Sequence, residues 1–127
     1  MIRKESKIKN MDNSGIKFCK ILNIVGNSYD KDYATVGDIV TFAICRTRNL
    51  KSYIKNKIYK GIILTQIKKV SRLDGSYINF NKNSIIAISE NFKIYGSRLY
   101  GPATKEVFKK NHKRDLTRLY LMAKKVY

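Results

Sequence analysis

The chain is poor in the residues that carry out chemistry. Of its 127 residues one is histidine, two are cysteine, one is proline, nine are acidic and none is tryptophan. The lone His112 stands in Lys109-Lys110-Asn111-His112-Lys113-Arg114, where no carboxylate is placed to orient it, so general acid–base catalysis lacks its usual pair. No Ser-His-Asp set, phosphate-cradling glycine loop or aspartate cluster for two metals can be assembled. Asp12, Asp38 and Asp74 each sit at turn chemistry, and turn hydrogen bonding accounts for them; Asp30 and Asp32 flank a loop. Cys19 and Cys45 lie in apolar strand-like runs without a second thiol pair or a nearby histidine. That pattern gives two buried, reduced thiols, no metal set and no cofactor. No apolar run approaches the ~18 residues of a spanning helix, and Met1-Ile2-Arg3-Lys4-Glu5-Ser6-Lys7-Ile8 lacks the apolar core of a secretory signal. Membrane insertion is therefore not expected. Internal repeats, low-complexity tracts and proline-rich linkers are missing too, which leaves one domain over residues 1–127.

What is abundant is positive charge. Twenty-seven Lys and Arg give a formal net charge of +18 and a pI near 10.0, while hydrophobic residues reach 43%. A chain of this length buries roughly two-thirds of its unfolded surface and holds its own core. Self-repulsion on this scale stabilises nothing in a free protein, so a polyanionic partner is the economical explanation. Three clusters without internal acids stand out: residues 46–60, 68–72 and 109–114. They offer Arg46, Arg48, Lys51, Lys55 and Lys60, then Lys68 and Arg72, then Lys109, Lys110 and Arg114 as phosphate contacts. Tyr53, Tyr59, Ser71, Asn111 and His112 are interleaved as groups that reach sugar or an unstacked base. No recognition-helix motif or RNP-type aromatic octamer is present, so sequence-specific readout is not expected.

Strand-like patterns occupy 16–25, 33–45, 60–70, 77–80 and 84–89, with 93–100 returning to the rim. Gly37 permits a bend, Leu73-Asp74-Gly75-Ser76 reads as a hairpin turn, and the 46–60 cluster reads as a protruding basic loop. Short strands at regular spacing predict a mainly β fold, a five-stranded closed β-barrel over 1–101 with a small α-helical C-terminal part over 102–127. Residues 104–110 form a short helix, and Asp115 caps a second in which Leu116, Leu119, Tyr120 and Ala123 make a stripe that closes one end of the barrel. Gly96-Ser97-Arg98-Leu99-Tyr100-Gly101-Pro102-Ala103-Thr104-Lys105-Glu106 sets a short strand between two glycines. Pro102 then fixes φ at the exit, and Thr104 or a neighbour caps a helix with Glu106 in its first turn.

That last string resembles the corresponding segment of the universal large-subunit ribosomal protein fourteen family. Three collinear pieces repeat the resemblance: Asp12-Asn13-Ser14-Gly15; Tyr33-Ala34-Thr35-Val36-Gly37-Asp38-Ile39; and Gly61-Ile62-Ile63-Leu64 followed by Asp74-Gly75, Phe80 and Asn83. The resemblance implies a non-enzymatic barrel protein that binds large-subunit rRNA at the subunit interface and contributes to an intersubunit bridge with small-subunit rRNA. It implies large-subunit proteins three and nineteen as neighbours and a ribosome silencing factor as a visitor. By matching positions it marks Lys17, Lys55, Lys60, Lys68, Arg72, Lys82 and Arg98 as RNA-facing, and places Ser97, Arg98 and Thr104 at the interface. Departures from the family are Asn49-Leu50-Lys51 and Asn56-Lys57 in place of its usual loop turns, an acidic Asp30-Lys31-Asp32, and a longer basic tail around Met122-Ala123-Lys124-Lys125. Abundant Ile, Asn, Lys and Tyr match an AT-rich coding sequence. With a start at the family's own N-terminus, that usage gives a mitochondrial ribosome as the expected location, with a plastid or a bacterial cytoplasm as alternatives. A free single-strand RNA binder built on a comparable barrel is the rival reading; an RNA-modifying enzyme and a pure protein-interaction module fit the composition less well.

Overall fold

The computed structural model describes residues 2–25, 32–47, 57–111 and 116–127. Most of the 46–60 loop, with Arg48, Lys51, Tyr53 and Lys55, lies outside the described residues, as do Asp30, His112, Arg114 and Asp115, and the N-cap position of the last helix is Leu116, not the expected Asp115. The elements are β1 (Ile2–Arg3), β2 (Lys7–Asn10), β3 (Ile16–Ile24), β4 (Tyr33–Ala34), β5 (Ile39–Thr47), β6 (Ile58–Thr65), β7 (Val70–Ser71), β8 (Tyr77–Ile78), β9 (Ser84–Ile88), α1 (Lys105–Lys110) and α2 (Thr117–Met122). Strands β2-β3-β5-β6-β9 form a closed barrel. All its neighbours run antiparallel except β2 and β9, whose parallel pairing of Lys9 with Ser84 and Asn10 with Ile85 completes the ring.

The barrel interior follows from alternation. Val40, Phe42 and Ile44 point inward from β5, Tyr59 and Ile63 from β6, and Ile85 and Ala87 from β9. In β3 the buried residues are Ile16, Cys19, Ile21 and Ile24, so the period of two slips twice, and the pairing with β5 shifts register at those two places. Bulges there let one nine-residue strand coil around the barrel while keeping apolar side chains inside. Gly61 packs tightly against β9: a Cβ would stand 2.7 Å from Ile85 Cδ1 and 2.9 Å from the Ile86 carbonyl oxygen.

A second apolar layer covers the outside of β6 and β9. Ile62, Leu64, Ile86 and Ile88 pack there with Val36, Ile39, Ile94, Leu99, Val107, Leu116 and Leu119. The C-terminal helices thus lie against a flank of the barrel; the expected plug at one end is not what the Leu116/Leu119 stripe makes. Tyr120 from that stripe is exposed, since two short turns of helix bury only one narrow edge.

Three further expectations are corrected. The fifth barrel strand is Lys7–Asn10, too short and too lysine-rich to stand out, and not the segment at 77–80. Tyr77–Ile78 instead pairs with Val70–Ser71 in a separate two-stranded hairpin, closed by the Asp74-Gly75 turn with Gly75 at φ 87°. The run 33–45 divides: Tyr33–Ala34 pairs with Ile2–Arg3, a turn with Gly37 at φ 87° intervenes, and β5 begins at Ile39. Finally, Cys19 is buried but Cys45 is exposed. Burial first, and then the nearby Asp12 carboxylate, push the Cys19 thiol well above its ordinary range.

Three outcomes follow from this packing. Gly61→Ala would meet the Ile86 carbonyl, which is backbone, as well as the Ile85 side chain, and should cost about 1–3 kcal/mol in urea unfolding. Gly101→Ala meets only the thioether end of Met11 and should change stability by less than about 1 kcal/mol. A thiol reagent should modify Cys45 in the native protein and reach Cys19 only after denaturation.

Candidate nucleic-acid interface

The turn after β2 organises the basic surface. Asp12 is buried, and its Oδ1 accepts hydrogen bonds from the Asn10 amide, the Ser14 hydroxyl and the Ser14 backbone N–H, the last at 3.1 Å. Asn10 Nδ2 also donates to the Ile16 carbonyl at 3.1 Å, so the chain is pinned on both sides of the turn. Asn10 Oδ1 and Asp12 Oδ2 are shut off from solvent with no hydrogen-bond partner, a local cost accepted in fixing this corner.

Asn13 carries the corner across to the 96–101 segment. Its Oδ1 accepts from the Ser97 and Arg98 N–H groups at 2.8 and 3.0 Å, and its Nδ2 donates to Ser97 Oγ at 2.9 Å. The Asn13 N–H donates to the Arg98 carbonyl at 3.2 Å, and the Tyr100 N–H to the Met11 carbonyl at 2.8 Å. Gly96 is required for this approach, since a Cβ there would stand 2.9 Å from Asp12 Cβ. Leu99 and Gly101 turn inward while Ser97, Arg98 and Tyr100 remain exposed. The corner, with Tyr100 from the segment, lines a groove of about 720 Å³ with Lys9, Lys17, Phe18, Lys82 and Asn83. Lys17, Lys82, Ser97 and Arg98, marked separately in the sequence, therefore share one flank.

A second basic area lies around Tyr33, Lys68 and Lys69, which line a cavity of about 220 Å³. Lys68 Nζ sits 5.9 Å from the centre of the Tyr33 ring. Lys60 is half-buried on β6, Arg46 is exposed near the end of β5, and Lys109 is exposed on α1. Lys9 and Lys69 were not singled out by sequence reasoning; the alternation Lys7-Ile8-Lys9-Asn10 was the signal for the first.

Four of the marked residues have other work in the fold. Arg72 Nε lies 2.8 Å from Glu106 Oε1, and its Nη2 donates to Glu106 Oε2 at 3.2 Å and to the Tyr127 carbonyl oxygen at 2.7 Å. Lys110 Nζ donates to Thr35 Oγ1 at 2.6 Å and Asp38 Oδ1 at 3.1 Å, while Asn111 Nδ2 donates to the Gly37 carbonyl at 2.9 Å. These bonds tie α1 to the turn before β5, to the hairpin and to the tail. Thr104 is fully buried and occupies the N-cap position of α1 without a side-chain capping bond, so it presents nothing to a partner.

The turn aspartates behave as turn formers. Asp38 Oδ2 accepts from the Thr35 N–H at 2.8 Å, and Asp74 Oδ1 accepts from the Ser76 N–H and hydroxyl, which hold the Asp74 carboxyl below its usual range. Among the described residues no group of three or more His, Cys, Asp or Glu could hold a metal ion, and no helix is long and apolar enough to cross a membrane. The arrangement brings basic side chains and exposed aromatic rings to one flank, groups of the chemistry that suits a polyanion.

Comparison with known proteins agrees with this geometry. The family model described as ribosomal protein L14p/L23e matches residues 1–126. The chain is 32% identical over 112 residues to the large ribosomal subunit protein uL14 of Petrotoga mobilis, covering 88% of this chain and 91% of that protein. It is 36% identical over 114 residues to the uL14 protein of Carsonella ruddii, covering 89% and 90%.

The Arg72–Glu106 tie has a pH signature. Partial burial raises the Glu106 carboxyl, but the hydrogen bond and charge of Arg72 outweigh it and leave the group below its ordinary value of 4.5. Stability from this pair is therefore fully present above that value and is lost as the pH falls through the lower, folded one. Glu106→Gln should cost about 1 kcal/mol at neutral pH. Thermal unfolding of both proteins should show the gap closing in acid below the ordinary carboxylate range.

Proposed function

The chain belongs to the ribosomal protein L14p/L23e family and is a structural, non-enzymatic component of the large ribosomal subunit; we propose that it holds large-subunit rRNA by phosphate neutralisation at the subunit interface. The observation that carries this reading is the flank built on Asn13, where Lys9, Lys17 and Lys82 line one groove and Arg98 is fixed beside it by backbone bonds. A scaffold that fixes the backbone beneath these cations presents them together on one face, which is what a lasting phosphate contact uses. Lys60, Lys68, Arg46 and Lys109 extend the basic surface, and Arg48, Lys51, Lys55 and Arg114 add charge from their sequence positions. Arg72 and Lys110 serve first as internal ties, and Thr104 drops out of the interface because its side chain is buried.

The Ser97–Arg98 flank is our choice for the surface toward the small subunit, where it meets small-subunit rRNA in a bridge and is open to a silencing factor. Large-subunit proteins three and nineteen are the protein neighbours this reading includes. Amino-acid usage rich in Ile, Asn, Lys and Tyr supports a mitochondrial ribosome. The bacterial relatives support a bacterial cytoplasm as the second reading, and a plastid has the same compositional support.

Sedimentation of a tagged copy through a sucrose gradient at moderate salt tests the proposal. The protein should travel with the large subunit and with whole ribosomes, and Arg98→Ala should shift material from whole ribosomes toward free subunits. Recovery only in light fractions without large-subunit rRNA would overturn the reading and favour a stand-alone RNA-binding barrel.

A further inference from the structure

The groove below Asn13 contains more than the cations that phosphate binding needs. Phe18 lies on β3 between two register shifts, and the bulge turns its ring outward from a strand whose neighbouring Ile16 and Cys19 are buried; the ring is 40% exposed. Tyr100 is 57% exposed, presented by a backbone bond to Met11 and by the burial of Leu99 and Gly101 on either side. Among the described residues neither ring has an aromatic partner, and none of Lys9, Lys17 and Lys82 is paired with a carboxylate. Two exposed rings and three uncompensated cations thus line one groove of about 720 Å³, within the size of small-ligand clefts.

We propose that this groove receives a single unstacked nucleotide of the bound RNA, with its base against Phe18 and Tyr100 and its flanking phosphates on Lys9, Lys17 and Lys82. The inference rests on the rRNA-binding reading and names the form of RNA at this site. A duplex hides its base faces, so only an extruded or single-stranded nucleotide gives the rings something to stack on. Asp12 in the groove wall repels phosphate, which keeps the phosphates among the lysines and leaves the uncharged base to enter. The Asn13 amide is engaged at both ends by Ser97 and Arg98, so the base is stacked and not read, and recognition is tolerant of sequence.

The test uses the full chain with a single-stranded 12-nucleotide RNA carrying 2-aminopurine and a blunt duplex of equal length. The single strand should bind with a change in 2-aminopurine fluorescence. Replacing the rings, Phe18→Leu with Tyr100→Leu, should weaken single-strand binding by roughly 5- to 100-fold per ring, with the salt slope and duplex binding unchanged. Tyr100→Phe should restore the loss that Tyr100→Leu causes. Lys17→Gln should instead reduce the salt slope by about 0.7 on the single strand and weaken both RNAs. Unfolding midpoints keep a folding defect separate, and both rings are exposed enough to be replaced. Unchanged single-strand binding by the double variant, or an equal loss on duplex, would overturn the nucleotide site and favour a protein neighbour there. Failure of the unaltered chain to bind either RNA would remove the rRNA reading itself, a result distinct from the loss of stacking alone.

Discussion

Burial of β6 and β9 on both faces is the constraint on which the rest of the structure depends. One face of each strand fills the barrel through Ile63, Ile85 and Ala87, and the other carries Ile62, Leu64, Ile86 and Ile88. A closed barrel satisfies only the inner face, so something must cover the outer one. The chain after β9 supplies that cover with Ile94, Leu99, Val107, Leu116 and Leu119. Since the cover must start beside β9 and reach the helices, it crosses the β2–β3 corner, and this route brings Arg98 and Tyr100 to the basic groove. The position of the candidate site is in this sense a by-product of hiding apolar surface.

The same constraint sorts the cations. Covering segments have to be held against a barrel whose net charge disfavours close packing of basic strands. Two ties reach across the fold for this purpose, Arg72 to Glu106 and Lys110 to Asp38, each spending one of the few acidic residues on a cation. The lysines along the groove have no such partner among the described residues, and their charge is left for an external anion. Charge is therefore compensated where segments must dock and uncompensated where RNA is proposed to bind.

Much of this was legible in the sequence, and the misreadings share a cause. The 16–25 run, the Asp74-Gly75 hairpin and the short helix after Thr104 depend on local patterns and were readable within a residue or two. Which sheet the hairpin joins, and which surface the Leu116/Leu119 stripe covers, depend on distant partners that periodicity does not name. Strand β2 was missed because four residues with two lysines carry little strand signal, although their parallel pairing closes the barrel. Cys45 read as buried from its apolar neighbours, whereas the alternation beyond Ile44 puts it outside. In the site, Lys17, Lys82 and Arg98 were readable as basic positions, but the engagement of Arg72 and Lys110 was not. Their carboxylate partners lie 34 and 72 positions away along the chain.

The glycine-bracketed string at 96–101 shows how a local motif takes its meaning from a distant one. By itself it reads as a strand-to-helix corner displaying an arginine. In the fold, Gly96 lies against Asp12 and Gly101 against Met11, while Asn13 takes up the Ser97 and Arg98 amides. Gly96 is the spacer that lets the segment close on the Asp12–Asn13 corner, and the Asn13 amide then takes up its backbone as a template would. Arg98 and Tyr100 are then the outward-facing residues of a segment whose inward positions are all committed. The rigidity of the proposed RNA-binding flank follows from the same contacts that seal the outer core, so changes that loosen the cover should also loosen the site.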